Sequence, residues 1–193
     1  MNQLPMFFEQ IMGIIKPWYI KDIKQEGMDI HITVDFKVGS RFEYQGEKCG
    51  VHDTVERTWR HMNLFQYKAY ITARVPRIKT KDGVKQVEVP WGRKRSGFTL
   101  LFEAFILQLE MCMSVSEVAR LMGEHENRLW RIVEFYTEQK IEKQDFSLEP
   151  IVNLAIDEIS RKKGHVYLTN FLDVDRKKVV FVARGKDSHT LKA

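Results

Sequence analysis

Cysteine is scarce in this 193-residue chain: Cys49 and Cys112 stand alone, neither in a Cys-x-x-Cys pair. That excludes a disulfide framework and fits a reducing compartment. Long hydrophobic runs are missing too. No stretch approaches the roughly 18 consecutive apolar residues of a membrane span, and the N-terminus lacks the charged, apolar and small-residue layout of a secretory leader. A cytoplasmic protein with no membrane partner is therefore expected. An acidic excess is also absent, since Lys and Arg outnumber Asp and Glu by 31 to 26. What remains, with 44% apolar residues, is a globular chain able to bury one ordinary core or two small ones.

The net charge of +5 is concentrated. Between Arg74 and Arg95 there are eight basic residues (Arg74, Arg77, Lys79, Lys81, Lys85, Arg93, Lys94, Arg95) against Asp82 and Glu88, a local charge of +6 that leaves the rest of the chain near −1. Such a patch is the footprint of a protein that neutralises phosphates, and equally that of a solvated charged face.

Just beyond it, SVSEVARLMGEHENRLWRIVEFY from Ser114 to Tyr136 reads as two helices joined by a tight turn. Ser114 with Glu117 three residues on forms a capping box, and Gly123 supplies the left-handed geometry that ends a helix. Val118, Ala119 and Met122 share an apolar seam with Leu129, Ile132, Val133 and Tyr136. A small residue at the crossing, a glycine four residues on and flanking aliphatics meet the packing needs of a DNA-binding helix-turn-helix, and also those of a plain helical hairpin. On the solvent side His125, Asn127, Arg128 and Arg131 occupy the turns from which a recognition helix reaches bases and phosphates, diluted by Glu124, Glu126 and Glu134.

Taken in order, residues 4–15 read as an amphipathic helix closed by Lys16-Pro17. Trp18 to Phe36 reads as a hairpin about Gly27, with Ile23, Met28, Ile30, Ile32, Val34 and Phe36 on one face. Lys37 to Asp53 reads as a loop. Tyr67, Ala69, Ile71, Ala73 and Val75 alternate in a strand that turns at Lys81-Asp82-Gly83 into VKQVEVPW. Ser96-Gly97 marks a joint, after which Phe98 to Glu110 is a helix with Leu101, Phe102, Phe105, Ile106 and Leu109 on its buried face. Ile151 to Ile156 is a short apolar run expected to be a strand buried on both faces that delivers Asp157 at its end. Val166–Leu172 and Val179–Ala183 are two further strands, and Asp187-Ser188 is a helix cap. Three strands do not close a domain, so an incomplete one is expected before Ala193. The fold class is thus α+β: a small mostly-β N-terminal module (residues 1–95), a three-helix helix-turn-helix unit (96–145), and the first strands of an α/β domain (146–193).

With these residues assembled, the chain resembles the insertion-sequence transposases of the ISL-three family. The blocks that carry the resemblance run in order: Lys16-Pro17-Trp18, Val51-His52-Asp53, Thr58 to Phe65 (TWRHMNLF), Ala73 to Arg77 (ARVPR), Val87 to Trp91 (VEVPW), Phe98 to Glu103 (FTLLFE), the helix-turn-helix, and Ala155-Ile156-Asp157-Glu158. The resemblance implies a zinc-finger-like N-terminal module, a helix-turn-helix that binds double-stranded DNA at the transposon ends, self-association, and a catalytic domain of RNase H-like fold whose DDE acids hold Mg²⁺. Asp157 matches the first of those acids, catalytic and metal-ligating once the domain is completed; the other two lie downstream in the family.

Relatives carry paired cysteines where this chain has Tyr44, the lone Cys49, and Lys79 to Asp82. Cys49, His52 and His61 supply at most three of the four ligands of a tetrahedral zinc, so no zinc is expected; a buried thiol and two surface imidazoles is the other reading. Two Mg²⁺ roughly 3.5 to 4 Å apart need several carboxylates. Asp173, Asp175 and Asp187 sit in turn and cap contexts that make them structural, and Glu158 points away from Asp157 along the strand. The expected activity is therefore DNA binding, with Arg74, Arg77, Lys79, Lys81, Arg93, Lys94 and Arg95 on phosphates and Asn127, Arg128 and Arg131 nearer the bases. A stand-alone helix-turn-helix regulator without catalysis is the alternative.

Overall fold

The computed structural model describes residues 3–143, 150–162 and 166–186. The chain divides into two compact units, Met1–Lys140 and Ile141–Ala193, and the architecture is α+β. Among the described residues no helix is long and apolar enough to cross a membrane.

The first unit opens with α1 (Gln3–Ile11), which is shorter than the periodicity suggests. Gly13 adopts φ +68° and the Ile14 N–H returns to the Glu9 carbonyl at 2.8 Å, so the helix ends on the glycine and not at Lys16-Pro17. Strands β1 (Trp18–Glu26) and β2 (Asp29–Phe36) form the expected hairpin about Gly27. Ile32, Val34 and Phe36 point into the core, whereas Ile23 and Met28 are exposed.

The segment expected to be a loop is instead β3 (Arg41–Tyr44) and the beginning of β4 (Glu47–Leu64), an antiparallel pair joined by Gln45-Gly46 at φ +49° and +82°. Two consecutive positive φ values are what a two-residue hairpin turn of the right twist demands. β5 (Tyr67–Thr80) follows and turns into β6 (Gly83–Gln86). The sheet order is β1-β2-β5-β4-β3 with β6 also on β5; β2 and β5 run parallel and the other pairs antiparallel. One face carries an aromatic-rich core in which Trp18 meets Phe36, Phe42 and Trp91, and Trp91 in turn meets Trp59, at centroid distances of 5.1–5.8 Å.

Three helices complete this unit. α2 (Leu100–Glu110) is capped by Thr99, whose hydroxyl accepts the Phe102 N–H. α3 (Val115–Met122) begins on the full Ser114/Glu117 capping box and ends on Gly123 at φ +63°. α4 is Glu126–Lys143. Phe102, Ile106, Val118, Ala119, Met122, Leu129 and Ile132 make a second core. Leu101, expected inside, is exposed and Glu103 takes the buried place, because the helix turns the 102/103/106 edge inward.

A buried seam joins β4 to these helices. The Arg60 N–H donates to the Gly97 carbonyl at 2.9 Å and the Thr99 N–H to the Arg60 carbonyl at 3.0 Å, so the start of the helical segment continues the sheet's hydrogen bonding.

In the second unit β7 (Leu154–Lys162), β8 (Val166–Asp173) and β9 (Lys178–Arg184) form an antiparallel meander in that order. The turn before β9 is built on Asp173, whose Oδ1 accepts the N–H groups of Asp175 and Arg176 at 3.1 Å. The Arg176 hydrogen bonds hold this carboxyl below its usual range. The expected cap at Asp187-Ser188 lies outside the described residues.

Candidate functional site

Residues Asn127, Trp130 and Arg131 are spaced i, i+3, i+4 on α4, so they share the side of the helix opposite Leu129 and Ile132, and all three are exposed. The helix start is held by His125, whose Nδ1 accepts the Asn127 N–H at 3.3 Å while its carbonyl accepts the Arg128 N–H at 2.9 Å. Arg131 makes no ion pair among the described residues. Arg128 is more constrained: it pairs with Glu124 one turn back and lies over the Phe98 ring at 4.3 Å from guanidinium carbon to centroid.

Glu124 does more than hold Arg128. Its other oxygen is 3.4 Å from Nε of Arg60, a β4 side chain that is 2% exposed. Arg60 also donates to the carbonyls of His61 and Ala69 and to the Asn63 amide oxygen, and stacks between Tyr70 and Phe102. Burial of so many contacts lowers its pKa from the arginine value, a fall that the charge of Glu124 opposes. The adjacent His61 is 4% exposed, 2.9 Å from the Thr99 hydroxyl, and pushed down to about 4 by burial and by the Arg60 charge, so it is neutral at pH 7.

The basic loop just before α2 is pinned by one buried carboxylate. Glu103 receives Arg93 Nε on both oxygens at 2.9 Å, the Ser96 hydroxyl at 2.5 Å and the Tyr136 hydroxyl at 2.9 Å. Burial first, then the bond to Glu103, pushes the Tyr136 phenol up to about 12. Arg93 is thereby held inside, stacked on Phe135 at 3.9 Å, while Lys94 and Arg95 stay exposed.

The other expected phosphate contacts lie apart from this loop along β5 and the β5–β6 turn. Arg74 pairs with Asp35 at 3.0 Å, Arg77 forms a two-pronged pair with Asp53, Lys81 meets Glu47 at 2.9 Å, and Lys79 is exposed without an ion pair among the described residues. A cleft of about 860 Å³ gathers Arg93, Lys94 and Arg95 with Arg57 and Lys85, and Arg74, Arg77, Lys79 and Lys81 do not line it.

Asp157 is not at the end of a buried strand. It sits in the middle of β7, opposite Asn170 of β8, and is exposed; Leu154 and Ile156 before it are also half exposed. The strand runs on through polar Ser160 and Arg161 because its pairing with β8, and not its own apolar run, sets its length. Among the described residues no three His, Cys, Asp or Glu side chains gather to hold a metal. Asp157 supplies one oxygen donor group, which does not by itself fit a two-ion centre. Cys49 and His52 lie near the start of β4 and His61 near its end against Thr99, about 30 Å along an extended strand, so these three do not converge.

Sequence reasoning missed Arg60, Glu103, Glu124 and Tyr136 as a framework. The signal was a charged residue at an apolar-periodic position, Glu103, within reach of a basic loop.

Residues 87–137 match the helix-turn-helix domain of transposase family ISL3, and residues 154–193 match a transposase domain of the same family. The chain is 28% identical over 198 aligned positions to the transposase for insertion sequence element IS1557 from Mycobacterium tuberculosis, in strains CDC 1551 / Oshkosh and H37Rv. The alignment covers 95% of this chain and 44% of the relative, so the chain spans less than half the length of the curated relatives it matches. No solved structure matches it significantly.

Proposed function

We propose that this chain, which matches ISL3-family transposase domains over residues 87–137 and 154–193, is the portion of an insertion-sequence transposase that recognises the ends of the element, with α3 and α4 acting as a DNA-binding helix-turn-helix. The observation that carries this reading is the exposed Arg131, without an ion pair among the described residues, beside Asn127 on α4, above a helix pair whose cap, glycine and small crossing residue (Ala119) match the motif. Asn127 and Arg131 reach base edges; Arg128, tied to Glu124 and Phe98, meets the backbone. Lys94 and Arg95 contact phosphates in the register that the Glu103 anchor sets. Arg74, Arg77, Lys79 and Lys81 add long-range attraction, weakened where Asp35, Asp53 and Glu47 neutralise them.

The second unit we read as the opening strands of an RNase H-like domain. Its sheet carries half-exposed aliphatic and aromatic residues on both faces: Ile156 and Phe181 on one, Ile159 and Val182 on the other. A sheet covered on both sides needs that pattern. Asp157 is then the first catalytic acid and one ligand of a divalent cation, Mg²⁺ by family resemblance, whose further ligands lie outside the described residues. Self-association and cutting and joining of DNA belong to the same proposal, as does residence in the cytoplasm with the DNA.

Titrating the chain into a labelled duplex carrying the element's terminal repeat, and into a scrambled duplex, tests the recognition step by fluorescence anisotropy. Arg131→Ala is expected to lower affinity for the repeat by about tenfold and to narrow the difference between the two duplexes. Equal affinities for wild type and variant on both duplexes overturn the assignment.

A further inference from the structure

We propose that the cleft bounded by β4, β6 and the loop 92–97 is a second DNA-binding surface, a track for the phosphate backbone flanking the segment held by α4. The proposal rests on the DNA-binding reading above and assigns a role to two residues outside it, Arg57 and Lys85.

The loop is fixed at three points. The Gly92 backbone lies against Trp59, where a β-carbon would come within 2.9 Å of the indole nitrogen. Arg93 and Ser96 are both drawn inward by Glu103. With those two turned in, Lys94 and Arg95 are turned out, and Arg95 adopts φ +64°, a conformation that a side-chain-bearing residue rarely takes.

The opposite wall is built by the sheet. Arg57 on β4 reaches across to Gln86 on β6, with Nη2 3.4 Å from its amide oxygen, and Lys85 is next to that glutamine. Glu43 and Glu88 also line the cleft, so four cations that make no ion pair among the described residues, Arg57, Lys85, Lys94 and Arg95, face two carboxylates. These cations are half or fully exposed and come from three separate segments, β4, β6 and the loop 92–97. That arrangement suits a polyanion that releases counterions along its length, not a small anion that must be desolvated. The cleft is also continuous with α4: the Arg128 guanidinium lies 3.3 Å from where a Gly97 β-carbon would be, so a backbone leaving α4 passes over the loop into it.

The test uses the full chain with two duplexes, about one and a half turns (~15 bp) and about three turns (~30 bp), at several salt concentrations. Wild type is expected to bind the longer duplex more tightly and with a steeper salt dependence. Arg57→Ala/Lys85→Ala is expected to reduce the slope of log K against log salt by roughly 2 on the long duplex and to leave the short one unchanged. A second variant, Arg95→Gly, fits the left-handed backbone while removing a charge, and is expected to lower the same slope by roughly 1 without loss of folding. If wild type binds both duplexes and neither variant changes the long-duplex slope, the cleft is not on the DNA path and the proposal falls while α4 recognition stands. If wild type binds neither duplex, the DNA-binding reading fails and takes this proposal with it.

Discussion

Arg93 donates Nε to both oxygens of the Glu103 carboxylate at 2.9 Å, from a loop to a helix face where Glu103 is fully buried. Ser96 and Tyr136 occupy the remaining acceptor sites, so the charge is paired and hydrogen-bonded on every side. Removing Glu103 leaves the other three without their acceptor in a largely buried place. Glu103→Ala is therefore expected to cost about 3 kcal/mol or more, read as a lower urea midpoint, and Glu103→Gln less, because the amide oxygen still accepts one donor. An unchanged midpoint for Glu103→Ala would show that the anchor contributes nothing.

His61 makes stability depend on pH. Its folded pKa of about 4 lies below the unfolded value of 6.5, so between those values the unfolded chain binds the extra proton. Its contribution is complete above pH 6.5 and is lost as pH falls toward 4, up to about 3 kcal/mol in all. Comparing urea midpoints at pH 7 and pH 5 for wild type and His61→Gln isolates it: the wild type is expected to lose more stability on acidification than the variant. Parallel losses would assign the pH dependence to other groups.

Gly92 is required by the space beside it, and not by its own dihedral angles. A β-carbon there would lie 2.9 and 3.1 Å from Nε1 and Cδ1 of Trp59, a ring itself wedged at 5.7 Å against Trp91. Neither the ring nor the pinned loop yields easily. Gly92→Ala is expected to destabilise by about 1–3 kcal/mol, whereas Gly50→Ala, where nothing lies within 4 Å, is expected to stay within about 0.5 kcal/mol in the same denaturation assay.

These residues also show what the sequence could reveal. The α3 start and end were legible because a capping box and a left-handed glycine are local devices, complete within ten residues. The β1–β2 hairpin was legible for the same reason. β3 and the first half of β4 were not: from Glu47 to Thr58 the strand is largely exposed, shows no alternation, and is held by pairing with β5, up to 27 residues away in Val51↔Ile78. The parallel β2–β5 contact is likewise invisible to periodicity. Within the candidate site Asn127 and Arg131 stood out as polar residues on the outer face of a recognised helix. Arg60 and Glu103 did not, because each is a charge in an apolar setting whose partners come from distant segments.

The most direct measurement uses a probe already in the chain. Trp18, Trp59 and Trp91 are all at most 5% exposed, whereas Trp130, beside Asn127 and Arg131, is 53% exposed. Quenching of tryptophan emission by acrylamide therefore reports chiefly on the α4 surface. With anisotropy confirming that a labelled duplex is bound, the acrylamide-accessible fraction of the emission is expected to fall sharply on binding. Undiminished quenching in the bound complex would contradict it, because the DNA would then lie somewhere other than on α4.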